Sequence, residues 1–223
     1  MMQFQIPKQD ILAQLIVQLE SHFMLSNIEK SVISDYLDLA LEKCESNFMA
    51  SSNKYFIIEM EEHKKVRFNP YHSVQYMIFL YYLSREIYAN TQNSILCDKI
   101  YYLNKIMNSV DLFYAIELPK KFGAEHPLGS VMGRAKYGEG FFFYQGCTVG
   151  GTVGKNGEIY YPVLGENIQM FANSSILGRC KVGDNVKIGA GALVKNEDIP
   201  SDSIVFGQSP NLIIKKQNHE LEK

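Results

Sequence analysis

Five side chains in this chain are imidazoles: His22, His63, His72, His126 and His219. Imidazole suits general acid–base work, because a positioned one raises a proton-transfer rate by about 10²–10⁴. A histidine that precedes proline, as His126 does, is ordinarily a surface-turn residue, so the segment around it has to decide. That segment, HPLGSVMGRAKYGEGFFFYQGCTVGGTVGKNG, is dense in glycine. The other four histidines lack such surroundings, although His72 in NPYHSVQY could approach a site. Cys44, Cys97, Cys147 and Cys180 stand far apart with no paired CxxC spacing, which argues against a metal site and against a disulfide framework. They read as reduced, mostly buried thiols of a cytosolic protein. For Cys147, inside the glycine-rich segment, packing is a better account than nucleophilic catalysis.

The elements that position these residues follow from two different periods. Up to about residue 109 the chain is rich in Leu, Ile, Tyr, Met, Lys and Glu and nearly free of glycine, with apolar residues at helical spacing. Helices are predicted near 8–23, 28–50, 71–90 and 94–107, with Asn69-Pro70 as entry to the third. The first carries Ile11, Leu12, Leu15, Ile16 and Leu19 on one stripe; the N-terminus lacks the features of a secretory leader. The greasiest stretch, Met77 to Leu83, is shorter than the roughly 20 residues needed to cross a bilayer, so no membrane span is expected. With 46% apolar residues, a net charge of -2 and a pI near 6.2, the chain can bury an ordinary core and carries no basic footprint for nucleic acid.

Beyond Asp111 the texture turns to glycine, valine and isoleucine. Leu164, Met170, Ile176, Val182, Ile188 and Val194 recur at a strict spacing of six. In an α-helix that step rotates each side chain by about 240°, so no stripe would form. As one strand, at about 3.3 Å per residue, the stretch would be roughly 100 Å long. The chain must therefore turn every six residues, with glycine and Asn-Gly-like corners accepting positive φ. Leu112 and Leu118 fit a first coil, and Tyr137, Phe143 and Val149 part of another. The reading is an α+β chain: an α-helical N-terminal domain over 1–109, a parallel β-helix of hexapeptide repeats over 110–214, and a polar tail over 215–223. Between Gly151 and Pro162 the register fails, and TVGKNGEIYY is expected to leave the coil as a loop, the usual place for functional groups on a rigid scaffold.

The glycine-rich segment resembles the active-site coil of serine acetyltransferases, whose pattern is His-x-x-Gly, then Gly-Glu or Gly-Arg, then Tyr-Gln-x-Val-Thr-Leu-Gly-Gly-Thr. Here the matching residues are His126, Gly129, Gly133, Tyr144, Gln145, Thr148, Gly150, Gly151 and Thr152. The resemblance spans residues 110 to 214 and implies a left-handed β-helix, acetyl-CoA as acyl donor and no metal. DIPSDSIVFGQSPNLIIKK resembles the family's closing turn, with Gly207-Gln-Ser-Pro210 in place of Gly-Asn-Pro. It also implies that His126 is the catalytic base and that Asp111, fifteen residues before it as in the family, orients the imidazole. Gly150, Gly151, Thr152, Ala172 and Ala190 would line the pantetheine path, with Lys195 toward a phosphate. Glu125 stands where the family keeps an acid near the substrate amine, and Gln145 and Tyr161 would also face the acceptor. One departure bears on specificity. The family loop ends in Arg-His-Pro, a pair that helps hold the serine carboxylate, and this chain has Tyr160-Tyr161-Pro162.

On these grounds the expected activity is an acetyl-CoA-dependent O-acetyltransferase acting on serine or a serine-like acceptor, in a cytoplasmic homotrimer or multiple of three. Two alternatives stay open. One is acetylation of a sugar or nucleotide-sugar hydroxyl or amine, favoured by the tyrosine pair; the other is a non-enzymatic assembly scaffold.

Overall fold

The computed structural model describes residues 2–51, 53–59 and 64–217. His63, His219 and the end of the polar tail lie outside them. Two compact units are present, Met1–Ala115 and Ile116–Lys223.

The first unit contains helices α1 (Lys8–Glu20), α2 (Asn27–Ser51), α3 (Ser73–Thr91) and α4 (Ser94–Asn108), each within a few residues of its predicted span. Local sequence explains their ends. Ser26 and Glu29 form a reciprocal capping box before α2, the Ser26 amide donating to Glu29 Oε2 at 2.8 Å and the Glu29 amide to Ser26 Oγ at 3.2 Å. His72 caps α3 by accepting from the Gln75 amide, and Asn93 caps α4 through the Leu96 amide at 3.2 Å. Leu15, Leu19, Ile33, Leu41, Phe79 and Leu83 are buried, as the stripes require. The helical period gave no sign of a small sheet in this unit, β1 (Gln3–Phe4), β3 (Lys64–Phe68) and β2 (Ile57–Glu59) in that spatial order. Its apolar residues are few, and Phe68 joins it to the helices through Phe48 and Phe79. A short strand β4 (Asp111–Leu112) follows α4.

The second unit is the parallel β-helix expected from the hexads, left-handed as the resemblance implied, about five turns of it. Three faces repeat. The first stacks β5 (Phe122–Ala124), β7 (Phe141–Phe143), β12 (Gln169–Met170), β15 (Lys187–Ile188) and β17 (Ser203–Gln208), all parallel. The second stacks β6 (Val131–Met132), β8 (Thr148–Gly150), β13 (Ser175–Leu177) and β16 (Leu193–Lys195). The third pairs β11 (Val163–Leu164) with β14 (Lys181–Val182), extended by bridges at Lys136 and Ile199. All six residues of the hexad series point inward, none more than 4% exposed. Phe141, Phe143 and Val149 are fully buried above them.

The 151–162 stretch does leave the coil, as an antiparallel hairpin of β9 (Thr152–Val153) and β10 (Ile159–Tyr160). At the far end β18 (Asn211–Lys216) folds back antiparallel along β17. All four cysteines are buried and free, and burial raises the thiol pKa of Cys44, Cys97 and Cys180. No described helix is long and apolar enough to cross a membrane.

Val182→Asp would place an unpaired carboxylate inside the column of Leu164, Ile199 and Val182. A loss of several kcal/mol is expected. Urea denaturation checks it, and a midpoint unchanged from the parent chain would contradict the inward register.

Candidate functional site

His126 occupies a corner unlike its neighbours. The corners between the first and second faces hold four residues in three successive coils: 144–147, 171–174 and 189–192. The corner between β5 and β6 runs over 125–130, six residues. The pairing confirms the excess, since Ala124 lies beside Phe143 and Val131 beside Thr148. Two extra residues therefore bulge outward, and His126 sits on the bulge with its side chain 78% exposed.

Backbone conformation marks the same residue. The ordinary corner position is filled here by Gly129, Gly146, Asn173 and Gly191, all at positive φ. His126 is an additional left-handed residue, at φ 50°, that the coil does not demand. A Cβ-bearing side chain in that region costs on the order of 1 kcal/mol and is concentrated at functional positions. The turn is tight, with the Leu128 amide donating to the His126 carbonyl at 2.8 Å.

The side chains at this corner are polar above an aromatic layer. Glu125 Oε1 lies 3.9 Å from His126 Nε2. The Tyr144 hydroxyl, one coil along, donates to the Glu125 carboxylate; partial burial first, and then the neighbouring charge and that bond, raise the phenol pKa. The Tyr144 ring stacks on Phe171 at 5.4 Å and 9° and meets Phe142 edge-on. Gln145 is exposed beside it, its carbonyl accepting from the Asn173 amide at 2.8 Å. Ala172 and Ala190 continue the same corner upward, Ala172 accepting from the Gly191 amide at 2.9 Å. Thus Glu125, His126, Gln145, Ala172 and Ala190 form one column.

The remaining residues stand across the second face. Gly150 and Lys195 share a register row through Leu177. Gly151 opens the next corner, where the hairpin returns over it: a Cβ there would lie 2.7 Å from Ile159 and 2.8 Å from the Tyr161 ring. That glycine is small because the loop covers it. Thr152 donates to Asn196 Oδ1 at 3.0 Å, and Tyr161 is 37% exposed. Cys147 is fully buried and points to the Met170 and Phe171 carbonyls at 3.4 and 3.2 Å, so it packs the corner from inside.

Asp111 belongs to the first unit. Its carboxylate is held by two residues that sequence reasoning passed over: Tyr101 donates to Oδ1 at 2.6 Å and Lys105 to Oδ2 at 2.8 Å. The bond to Asp111 raises the Lys105 pKa; burial and the same carboxylate raise that of Tyr101. The i, i+4 spacing of Tyr101 and Lys105 on α4 was the available signal. His72 is a helix cap, its pKa lowered by partial burial, and His22 bonds locally to Ser21 and Gln18. No group of three metal-ligating side chains occurs among the described residues.

Known proteins resemble the chain in both sequence and fold. No protein-family model matches it. It is 36% identical over 107 residues to a serine acetyltransferase of Synechococcus elongatus, an alignment covering 48% of this chain and 43% of the relative. It is 29% identical over 147 residues to a serine acetyltransferase of Staphylococcus epidermidis, covering 66% of this chain and 67% of that one. The chain thus spans less than half of the first relative and about two thirds of the second. Among solved structures, serine acetyltransferase from Brucella abortus superposes with a TM-score of 0.70 at 17% identity, over 95% of this chain and 84% of that one. The Neisseria gonorrhoeae serine acetyltransferase gives 0.71 at 21% identity, over 96% and 82%. A serine acetyltransferase in complex with CoA gives 0.67 at 18% identity, over 95% and 85%.

The conformation of His126 has a measurable cost. His126→Gly should be more stable than His126→Ala by about 1 kcal/mol, since only glycine occupies this region without strain. Equal urea midpoints for the two variants would remove the strain argument.

Proposed function

We propose that this chain, serine acetyltransferase-like in sequence and fold, is an acetyl-CoA-dependent O-acetyltransferase whose acceptor is the hydroxyl of serine or a serine-like molecule. The observation that carries the reading is His126: an exposed imidazole at positive φ on a two-residue bulge that the β-helix does not need. The solved relative bound to CoA supports the donor.

An alcohol is a weak nucleophile at neutral pH, so attack on a thioester requires a base at the hydroxyl. His126 takes that proton as the oxygen attacks the acyl carbon. When the tetrahedral adduct collapses, the C–S bond breaks and the imidazolium returns the proton to the departing thiolate. The products are an acetate ester and free thiol, and no covalent acyl-enzyme is needed. Asp111, assigned by its fifteen-residue spacing, would hold the imidazole tautomer and stabilise the imidazolium. Its own carboxylate is held between Tyr101 and Lys105. Glu125, braced by Tyr144, would meet an acceptor ammonium. Backbone amides of the Gly150-Gly151 turn would serve as donors to the oxyanion. Ala172 and Ala190 leave room for an extended pantetheine arm along their corner, with Lys195 toward phosphate.

A groove of this kind is completed by a neighbouring copy, hence a homotrimer or a multiple of three. Outward-facing Val131 and Val163, 39% and 40% exposed, favour such packing. The proposed location is the cytoplasm. Acetylation of a sugar or nucleotide sugar is the second reading, favoured by the Tyr160-Tyr161 pair.

Two measurements test the function. An acetyl-CoA consumption screen should give turnover with L-serine or a close amino alcohol; turnover only with nucleotide sugars would support the second reading, and none at all the scaffold. His126→Ala should lower kcat by about 10²–10⁴ with little change in acetyl-CoA affinity, and Asp111→Asn by less. A His126→Ala variant with near-normal turnover would sink the mechanism.

A further inference from the structure

The bulge over 125–130 is fastened to the next coil at both of its ends, and Tyr144 takes part each time. At the far end the buried Ser130 donates its hydroxyl to the Tyr144 carbonyl at 2.8 Å and accepts from the Cys147 amide at 3.1 Å. Midway, the Gly146 amide donates to the Leu128 carbonyl at 2.9 Å. At the near end the Glu125 amide donates to the Phe143 carbonyl at 3.1 Å, which sets Glu125 beside Tyr144. There the phenol donates to the Glu125 carboxylate. We propose that Tyr144 is a positioning residue: its hydroxyl holds the Glu125 side chain in the rotamer that receives the acceptor's ammonium, and so sets a selectivity for alcohols that carry an amine. This rests on the acyltransferase reading above and deepens it.

The tyrosine is rigid where the glutamate is not. Its ring stacks on Phe171 with centroids 5.4 Å and planes 9° apart, and meets Phe142 edge-on at 5.4 Å and 64°. Its amide donates to the Met170 carbonyl at 3.0 Å. A hydroxyl on a ring clamped in this way has one direction to point. Partial burial first, and then the adjacent carboxylate and the bond to it, raise the phenol pKa, so the group keeps its proton and remains a donor.

Glu125, by contrast, is 49% exposed on the side chain, and its Oε1 lies 3.9 Å from His126 Nε2. That is too long for a hydrogen bond, so the imidazole does not fix the carboxylate. A free glutamate loses rotamer freedom when it takes up a ligand, and a bond formed beforehand removes that loss from the binding step. One phenol does not saturate the acid, because a carboxylate accepts at about four lone-pair positions. The short separation of Glu125 from His126 suits an acceptor whose amine and hydroxyl sit on adjacent carbons.

The test is a double-mutant cycle in the full chain, read as the KM for L-serine or for whichever amino alcohol the parent turns over. Tyr144→Phe removes one oxygen and leaves the ring on Phe171. It should raise that KM about 5–20-fold, with kcat and the acetyl-CoA KM within about twofold and the urea midpoint unchanged. Glu125→Ala should raise it further, and the double variant should match Glu125→Ala, since a brace has no effect once the braced group is gone. Phe171→Leu, which frees the ring but keeps the phenol, should raise the KM in the parent and not in the Glu125→Ala background. Losses that multiply in the double variant would mean that Tyr144 acts independently of Glu125 and would overturn the proposal. An acceptor KM unchanged by Tyr144→Phe, or a rise with Phe171→Leu in both backgrounds, equally overturns it. If the parent turns over no amine-bearing alcohol, the reading of Glu125 fails and the proposal falls with it; turnover by the parent with an unaffected Tyr144→Phe sinks the tyrosine alone.

Discussion

A coil of this β-helix can stack on the next only if both turn their corners with the same backbone conformation, and that conformation is left-handed. One corner shows how the requirement is met: Gly140, Asn167, Asn185 and Asp202 stand above one another at positive φ. Asn167 Nδ2 donates to Asn185 Oδ1 at 3.0 Å, and Asn185 Nδ2 to Asp202 Oδ1 at 3.0 Å. These short polar side chains tolerate the left-handed region and pair with one another between coils. Glycine serves where a Cβ would strike the Asn above it, as at Gly146 beneath Asn173. With corners in register, Met170, Ile176, Val182 and Ile188 stack into a continuous interior and the parallel ladders close.

That regularity makes the candidate site conspicuous. A fold in which each coil repeats the last has little use for an extra left-handed histidine or a corner lengthened by two residues. His126 supplies both on one bulge, beside an acid held by a tyrosine that is itself held by a stacked ring. The rigid ladder beneath absorbs the local strain. The hairpin at the other end of the face is a second irregularity, pinned to the coil through Thr152, Asn196 and the Arg179 guanidinium over Tyr160.

Much of this was legible in the residues. Six apolar side chains at a spacing of six excluded a helix and a single strand, and all six face inward. Failure of that spacing after Gly151 marked the hairpin. The four helices were evident from apolar stripes. Other features depend on contacts between distant residues and leave no periodic trace. The pairing of Phe122–Ala124 with Phe141–Phe143, which exposes the long corner, required strand register. Arg179 meets Tyr160 only because a hairpin lies between them in sequence and folds back in space. The β1-β3-β2 sheet was hidden for a different reason: its strands are short, and their buried residues serve a helical core.

The reversal of β18 bears on how such a molecule avoids joining others end to end. A parallel stack of coils is in principle endless, since its terminal strand offers the same unpaired amides and carbonyls as every strand below it. Here β17 is covered along its whole length by a strand running the opposite way, from Asn211 to Lys216. A further coil arriving in parallel register would meet an edge of the wrong polarity, with Lys215 and Lys216 exposed upon it. Growth along the solenoid axis is thereby stopped by a few residues of chain direction, and the molecule stays a finite object rather than the first subunit of a fibre.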